Sequence, residues 1–169
     1  MKFGTLAGEQ SRELVLEAAV DPAVFDAGTP IAEVSLKYAD SVTKSQESRT
    51  RKVVVGFTED KGIAEKSRDA DIVTVAEIYR NNEESEKALA LADQGSYREC
   101  RTQLKSQIAN LEKLKKEAPK SRQLAVQEEI DALSAAESQL DDANGLGSTG
   151  RKQFQSQIYT RRNSKQAVK

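Results

Sequence analysis

Residues 88–104 constrain this chain more than any other stretch. They read Ala-Leu-Ala-Leu-Ala-Asp-Gln-Gly-Ser-Tyr-Arg-Glu-Cys-Arg-Thr-Gln-Leu, two helical runs joined at Gly95 with small residues where two helices must approach closely. Glycine adopts the left-handed conformation that stops a helix, and Ser96 is placed to cap the next one. Such a joint predicts a helical hairpin, and it points to packing rather than chemistry.

Helical periodicity extends in both directions from that joint. Asp69 or Asp71 is placed to cap a helix over about 69–94, with Ile72, Val75, Ala76 and Tyr79 as its early apolar face and Leu89 and Ala92 on its later one. The polar run 81–87 weakens its middle. A second helix over about 96–118 carries the strongest stripe in the chain, Tyr97, Cys100, Leu104, Ile108, Leu111 and Leu114. Pro119 ends it and Ser121 is placed to cap a third, over about 121–142, with Leu124, Ile130, Leu133 and Leu140. Asn144-Gly145-Leu146-Gly147 breaks that helix, and Gly145 to Gly150 reads as a flexible linker, since no Gly-Lys-Ser/Thr follows an apolar strand. A short helix over about 151–161 and a basic tail complete the chain.

Before residue 60 the period is two. Leu14, Leu16, Ala18 and Val20 alternate with polar neighbours, as do Ala32, Val34, Leu36 and Tyr38, and again Val53, Val55 and Phe57. Turn-rich stretches separate these segments, including 40–50, and Phe3 to Leu6 offers a further edge strand. The fold expected is α+β: a small antiparallel sheet forming a partial sandwich over 1–60, a helical region over 61–143, and a linker, short helix and tail over 144–169. So thin a sheet needs other material against it, from elsewhere in a longer protein or from a second copy as a homodimer.

Composition removes several function classes. The 169 residues include no histidine and one cysteine, so the usual general base and any internal disulfide are missing. Cys100 lies on the apolar stripe and reads as a packing residue, and no enzyme signature is found. No apolar run reaches the roughly 20 residues of a spanning helix, and Met1 opens a polar stretch without a signal peptide, which favours the cytoplasm while leaving the compartment open.

The order of Phe3-Gly4-Thr5-Leu6-Ala7-Gly8-Glu9, Ile31-Ala32-Glu33-Val34-Ser35-Leu36-Lys37-Tyr38, the basic strand Arg51 to Phe57, Asp71-Ile72-Val73, Ala88 to Tyr97 and Arg151-Lys152-Gln153-Phe154 resembles the region C-terminal to the metal-binding domain in bacterial von Willebrand factor type A (VWA) domain proteins. The resemblance covers nearly the whole chain and implies a β-sandwich module followed by a helical hairpin. It also implies a non-catalytic module that supports or relays the state of a cation-binding adhesion domain. Magnesium or calcium is then expected only in an upstream VWA domain, with no cofactor in this chain. The family's Asp-x-Ser-x-Ser metal loop is missing here: Asp40-Ser41-Val42-Thr43-Lys44-Ser45 has the residue types in the wrong register. Cys100 stands where the family usually carries alanine.

Two surfaces are candidates for binding. Tyr97, Arg98, Arg101 and Lys105, beside the Gly95 joint, are the expected contact with a protein partner or the VWA domain. Arg151, Lys152, Arg161, Arg162 and Lys165 form a basic patch that could neutralise phosphates while Phe154 and Tyr159 stack on bases. The preferred reading sets these cations against the acidic third helix, which carries Glu128, Glu129, Asp131, Glu137, Asp141 and Asp142, and makes nucleic acid a lesser partner. A tetratricopeptide-like adaptor is the other alternative, although a single joint is not an array repeating about every 34 residues.

Overall fold

In the computed structural model, which describes residues 14–21, 23 and 28–162, the alternation around Val34 becomes strand β1 (Pro30–Ala39). It pairs antiparallel with β2 (Gln46–Val54), and Leu36 faces Arg49, Ser35 faces Thr50 and Val34 faces Arg51. The Asp40 carboxylate closes the turn between them, accepting from the N–H groups of Val42 at 2.7 Å and Thr43 at 3.2 Å. Those two backbone bonds hold its pKa below the usual carboxylate value. A short helix α1 (Lys61–Ser67) follows, capped by Asp60, whose Oδ1 accepts from Gly62 and Ile63.

The sheet departs from the expected meander in two ways. Residues 14–20 are not a strand, and the strand expected over 51–57 is shifted upstream, ending at Val54 and taking in Gln46 to Thr50 from the turn-rich stretch. The described residues therefore hold a two-stranded hairpin, and the strand expected at Phe3 to Leu6 lies outside them. A period of two does not by itself supply a pairing partner, and among the described residues only β1 and β2 form a ladder. Both hairpin faces are open to solvent, so β2 carries the polar series Gln46-Glu-Ser-Arg-Thr-Arg-Lys without penalty.

A second compact unit begins at Asp69. Asp69 caps α2 (Ala70–Asp93), accepting from Asp71 and Ile72. Gly95, at φ +79°, ends it: Gly95 N–H donates to Ala92 O and Ser96 N–H to Leu91 O, the paired bonds of a Schellman stop. α3 (Tyr97–Glu117) follows, with Ser96 at its start but without a side-chain cap bond. Pro119 does begin the next turn, yet it takes the capping position itself, and Ser121 lies inside α4 (Lys120–Gln139). α5 (Gly147–Arg162) starts earlier than expected: Gly147-Ser-Thr-Gly150 is its first turn, not a linker. Leu146, buried just before it, anchors that turn to the core.

The four long helices form an up-down-up-down bundle. Going up α2 from Asn82 to Asp93, the partner on α5 falls from Ile158 to Arg151. Between α3 and α4, Arg101 meets Glu137 and Lys115 meets Gln127, again running opposite ways. The core takes Ile78 and Ala88 from α2, Cys100, Leu104 and Leu111 from α3, Val126, Ile130, Leu133 and Ala136 from α4, and Phe154 and Ile158 from α5. The chain is thus α+β, a hairpin followed by helices, and no described helix is long and apolar enough to cross a membrane.

Candidate functional site

Antiparallel register sorts the hairpin side chains onto two faces. One carries Ala32, Val34, Leu36 and Tyr38 opposite Val53, Arg51, Arg49 and Glu47. On the other, Glu33 faces Lys52 with opposite charge, and the Ser35 and Thr50 hydroxyls meet at 2.9 Å. Val34 is 51% exposed and Leu36 49%, so the apolar face is open to solvent, edged by two arginines. An isolated two-stranded hairpin is marginal in water, and an apolar stripe on one is a surface built for contact.

The residues singled out beside the Gly95 joint have separate fates. Arg101 turns inward and holds the end of α4: its Nη1 donates to Glu137 Oε1 at 2.7 Å and to Glu137 O at 3.2 Å, its Nε to Asp142 Oδ1 at 3.1 Å, and its Nη2 to Leu140 O. The Glu137 and Asp142 bonds raise its pKa further. Glu137 O also accepts from the Leu140 N–H at 3.2 Å, so the guanidinium adds a second donor there and ties both carbonyls at the end of α4 to α3. Tyr97 is half-buried against the bundle core, and its ring lies where a Cβ on Gly145 would be, 2.7 Å from Cε1. Arg98 and Lys105 are exposed, Lys105 lying 3.8 Å from Glu137.

No family model, curated protein or solved structure matches this chain.

The basic patch is largely engaged within the bundle. Arg151 grips Asp93 with two bonds of 2.7 Å and holds that carboxyl below its usual pKa. Arg161 pairs with Glu129 and Arg162 with Glu86 at 3.3 Å, while Lys152 is exposed and Lys165 lies outside the described residues. So α5 neutralises both α2 and the acidic α4. The acidic residues on and after α4 are likewise dispersed. Glu137 and Asp142 serve Arg101, Asp131 accepts from Gln127, and Asp141 accepts from Ala143 and Asn144. Among the described residues no group of three possible metal ligands converges. Cys100 is fully buried, and desolvation pushes its thiol pKa up, which suppresses the thiolate a nucleophile needs.

Sequence reasoning missed a polar seam inside the bundle. Thr74, Asn81, Asn82 and Ser85 of α2 and Gln107 of α3 are buried. Ser85 Oγ lies 2.9 Å from Asn81 O and 3.1 Å from Gln107 Oε1, while Asn82 Nδ2 donates to Ile158 O at 3.4 Å. Asn81 Nδ2 and Gln107 Nε2 have no partner. The available signal was spacing, because 74, 78, 81, 85 and 88 step by threes and fours whatever their polarity. The second strand had a signal too: long Glu47, Arg49 and Arg51 alternate with short Ser48 and Thr50.

Proposed function

We propose that this chain is a non-catalytic protein-binding module, that the Val34, Leu36 and Tyr38 face of the hairpin is its contact surface, and that its partner is a cation-dependent VWA domain. The observation supporting the contact is the open apolar stripe on a hairpin too thin to bury it, with Arg49 and Arg51 opposite Leu36 and Val34. A partner covering that face would bury about 25 cal/mol per Å² of apolar area and would offer carboxylates to the two arginines. The VWA assignment rests on the resemblance of the ordered segments from Phe3 to Phe154. The joint surface around Tyr97 is the weaker contact, because Tyr97 and Arg101 already hold the bundle together.

The test begins with the flanking reading frame, which on this proposal encodes an Asp-x-Ser-x-Ser loop among alternating strands and helices. That domain, purified separately, is titrated with this chain by calorimetry with and without magnesium. Leu36→Asp is expected to weaken binding at least about tenfold, because it strands a charge in an apolar contact, while the helical circular dichroism stays unchanged. Binding indifferent to Leu36, or a reading frame without such a domain, would overturn the proposal.

A further inference from the structure

The hairpin has a second unsatisfied feature, its edge. β1 pairs with β2 on one side, and among the described residues its other side carries backbone N–H and C=O groups without a strand beside them. We propose that β1 pairs antiparallel with β1 of a second copy about a two-fold axis at Ser35, making a continuous four-stranded sheet. This concerns the edge and not the apolar face, so it stands independently of the VWA contact.

The β1 sequence is complementary to itself in that one register. With Ser35 opposite Ser35 of the second copy, Glu33 faces Lys37, Val34 faces Leu36 and Ala32 faces Tyr38, and symmetry makes each pair twice. Opposite charges meet on one face and apolar side chains on the other, the cross-strand pairs that stabilise sheets. A slip of one residue sets Val34 against Ser35 and Glu33 against Leu36, mixing the faces. A slip of two sets Glu33 against Ser35 or Ala39 and loses both charge pairs. The β2 edge is different: registers centred on Arg49, Thr50 or Arg51 each set arginine against arginine. Like charges on an edge strand repel a second strand, and the β2 register that avoids them, centred on Ser48, pairs only Gln46 to Thr50, so the two edges of one hairpin are unequal and β1 offers the longer complementary register. Four strands also exceed the size at which a sheet becomes stable in water, which the hairpin alone does not reach.

The test uses the full chain in sedimentation velocity and equilibrium over a wide concentration range. Wild type is expected to show a monomer–dimer equilibrium. Glu33→Lys and Lys37→Glu should each weaken it roughly tenfold or more, since two attractive pairs become two repulsive ones. An equimolar mixture of the two variants should recover the dimer, because every charge pair between the two β1 strands is then opposite, while the like-charge contact with Lys52 that Glu33→Lys creates stays inside its own hairpin. In a Cys100→Ala background, Ser35→Cys should form a disulfide-linked dimer on mild oxidation, and Ser48→Cys on β2 should not. A chain that stays monomeric overturns the inference while leaving VWA binding to be judged by its own titration. A dimer insensitive to both charge reversals, or cross-linking equally well through Ser48→Cys, also overturns it.

Discussion

Cys100 shows how burial decides what a side chain can do. It is the only cysteine and, in this chain without histidine, the obvious nucleophile on composition alone; yet it has no exposed surface and its thiol pKa is raised. Thiol reagents should therefore label it only as fast as the bundle opens, with the rate rising in parallel with urea-induced unfolding. Rapid stoichiometric labelling of the native chain would contradict that placement. Gln107 is the reverse case, a polar side chain buried with its Nε2 unpartnered while Ser85 Oγ retains Asn81 O as an acceptor. Replacing it by an apolar side chain of similar shape removes an orphan donor and strands nothing. Gln107→Met should stabilise the bundle by about 1 kcal/mol, seen as a higher urea midpoint with an unchanged slope. Neither the buried thiol nor the buried amide is distinguishable from an exposed one by residue type, and only the stripe position of Cys100 gave its burial away.

Helix ends are where element-scale predictions are sharpest. Gly95 has a positive φ but open space where a Cβ would go, so Gly95→Ala should cost only the backbone strain of a left-handed residue, about 1 kcal/mol. Gly145 also has a positive φ, +72°, and there the added Cβ would collide with the Tyr97 ring. Gly145→Ala should lower the midpoint by more than Gly95→Ala does, and adding Tyr97→Ala should give a double variant less destabilised than the sum of the two single changes. Additivity in thermal melts would mean the ring is not against that loop. The Gly95 stop was legible because glycine after an alanine-leucine run has one common meaning. The Gly145 to Gly150 segment was not, since nothing local distinguishes a linker from a tight turn that Tyr97 covers and a helix start that Leu146 anchors.

At the scale of the whole molecule, charge sets the pH response. In the bundle, Asp71 is bound by Arg122 at 2.8 and 2.9 Å, Asp93 by Arg151 and Glu84 by Lys87, and each hydrogen bond lowers the carboxyl pKa. A carboxylate with a depressed folded pKa contributes stability above its unfolded value, near 4, and loses it as pH falls through the folded value. With no histidine, no ordinary side chain titrates between pH 5 and 8. The thermal midpoint should therefore be flat from about pH 8 to 5 and fall below about pH 4, and Asp93→Asn should shallow the fall. A step near pH 6 in the melts would show that another group controls stability. Among the described residues, 69–162 carry the buried apolar core and should fold alone with a cooperative helical melt, whereas 16–68, whose hairpin buries none, should lose its sheet on dilution to concentrations where it is a monomer. Circular dichroism of the two fragments decides this.

Local chemistry and periodicity were enough to determine the α+β class, the helical hairpin at Gly95, β1, and the approximate limits of the three long helices. Each of these follows from signals within a few residues: a capping aspartate, a left-handed glycine, a proline stop, or a stripe at a period of two or 3.6. Tertiary structure alone decided the rest. It turned the polar middle of α2 inward, leaving Ile72 66% exposed while Asn81, Asn82 and Ser85 are buried. It also directed Arg101 to the carbonyls at the C-terminal end of α4 and tied α5 to α2 through Arg151 and Asp93. The reason is physical. Conformation near a cap or stop is set by neighbours in the chain, but which side of a helix is buried, and which charge meets which, depends on elements tens of residues away.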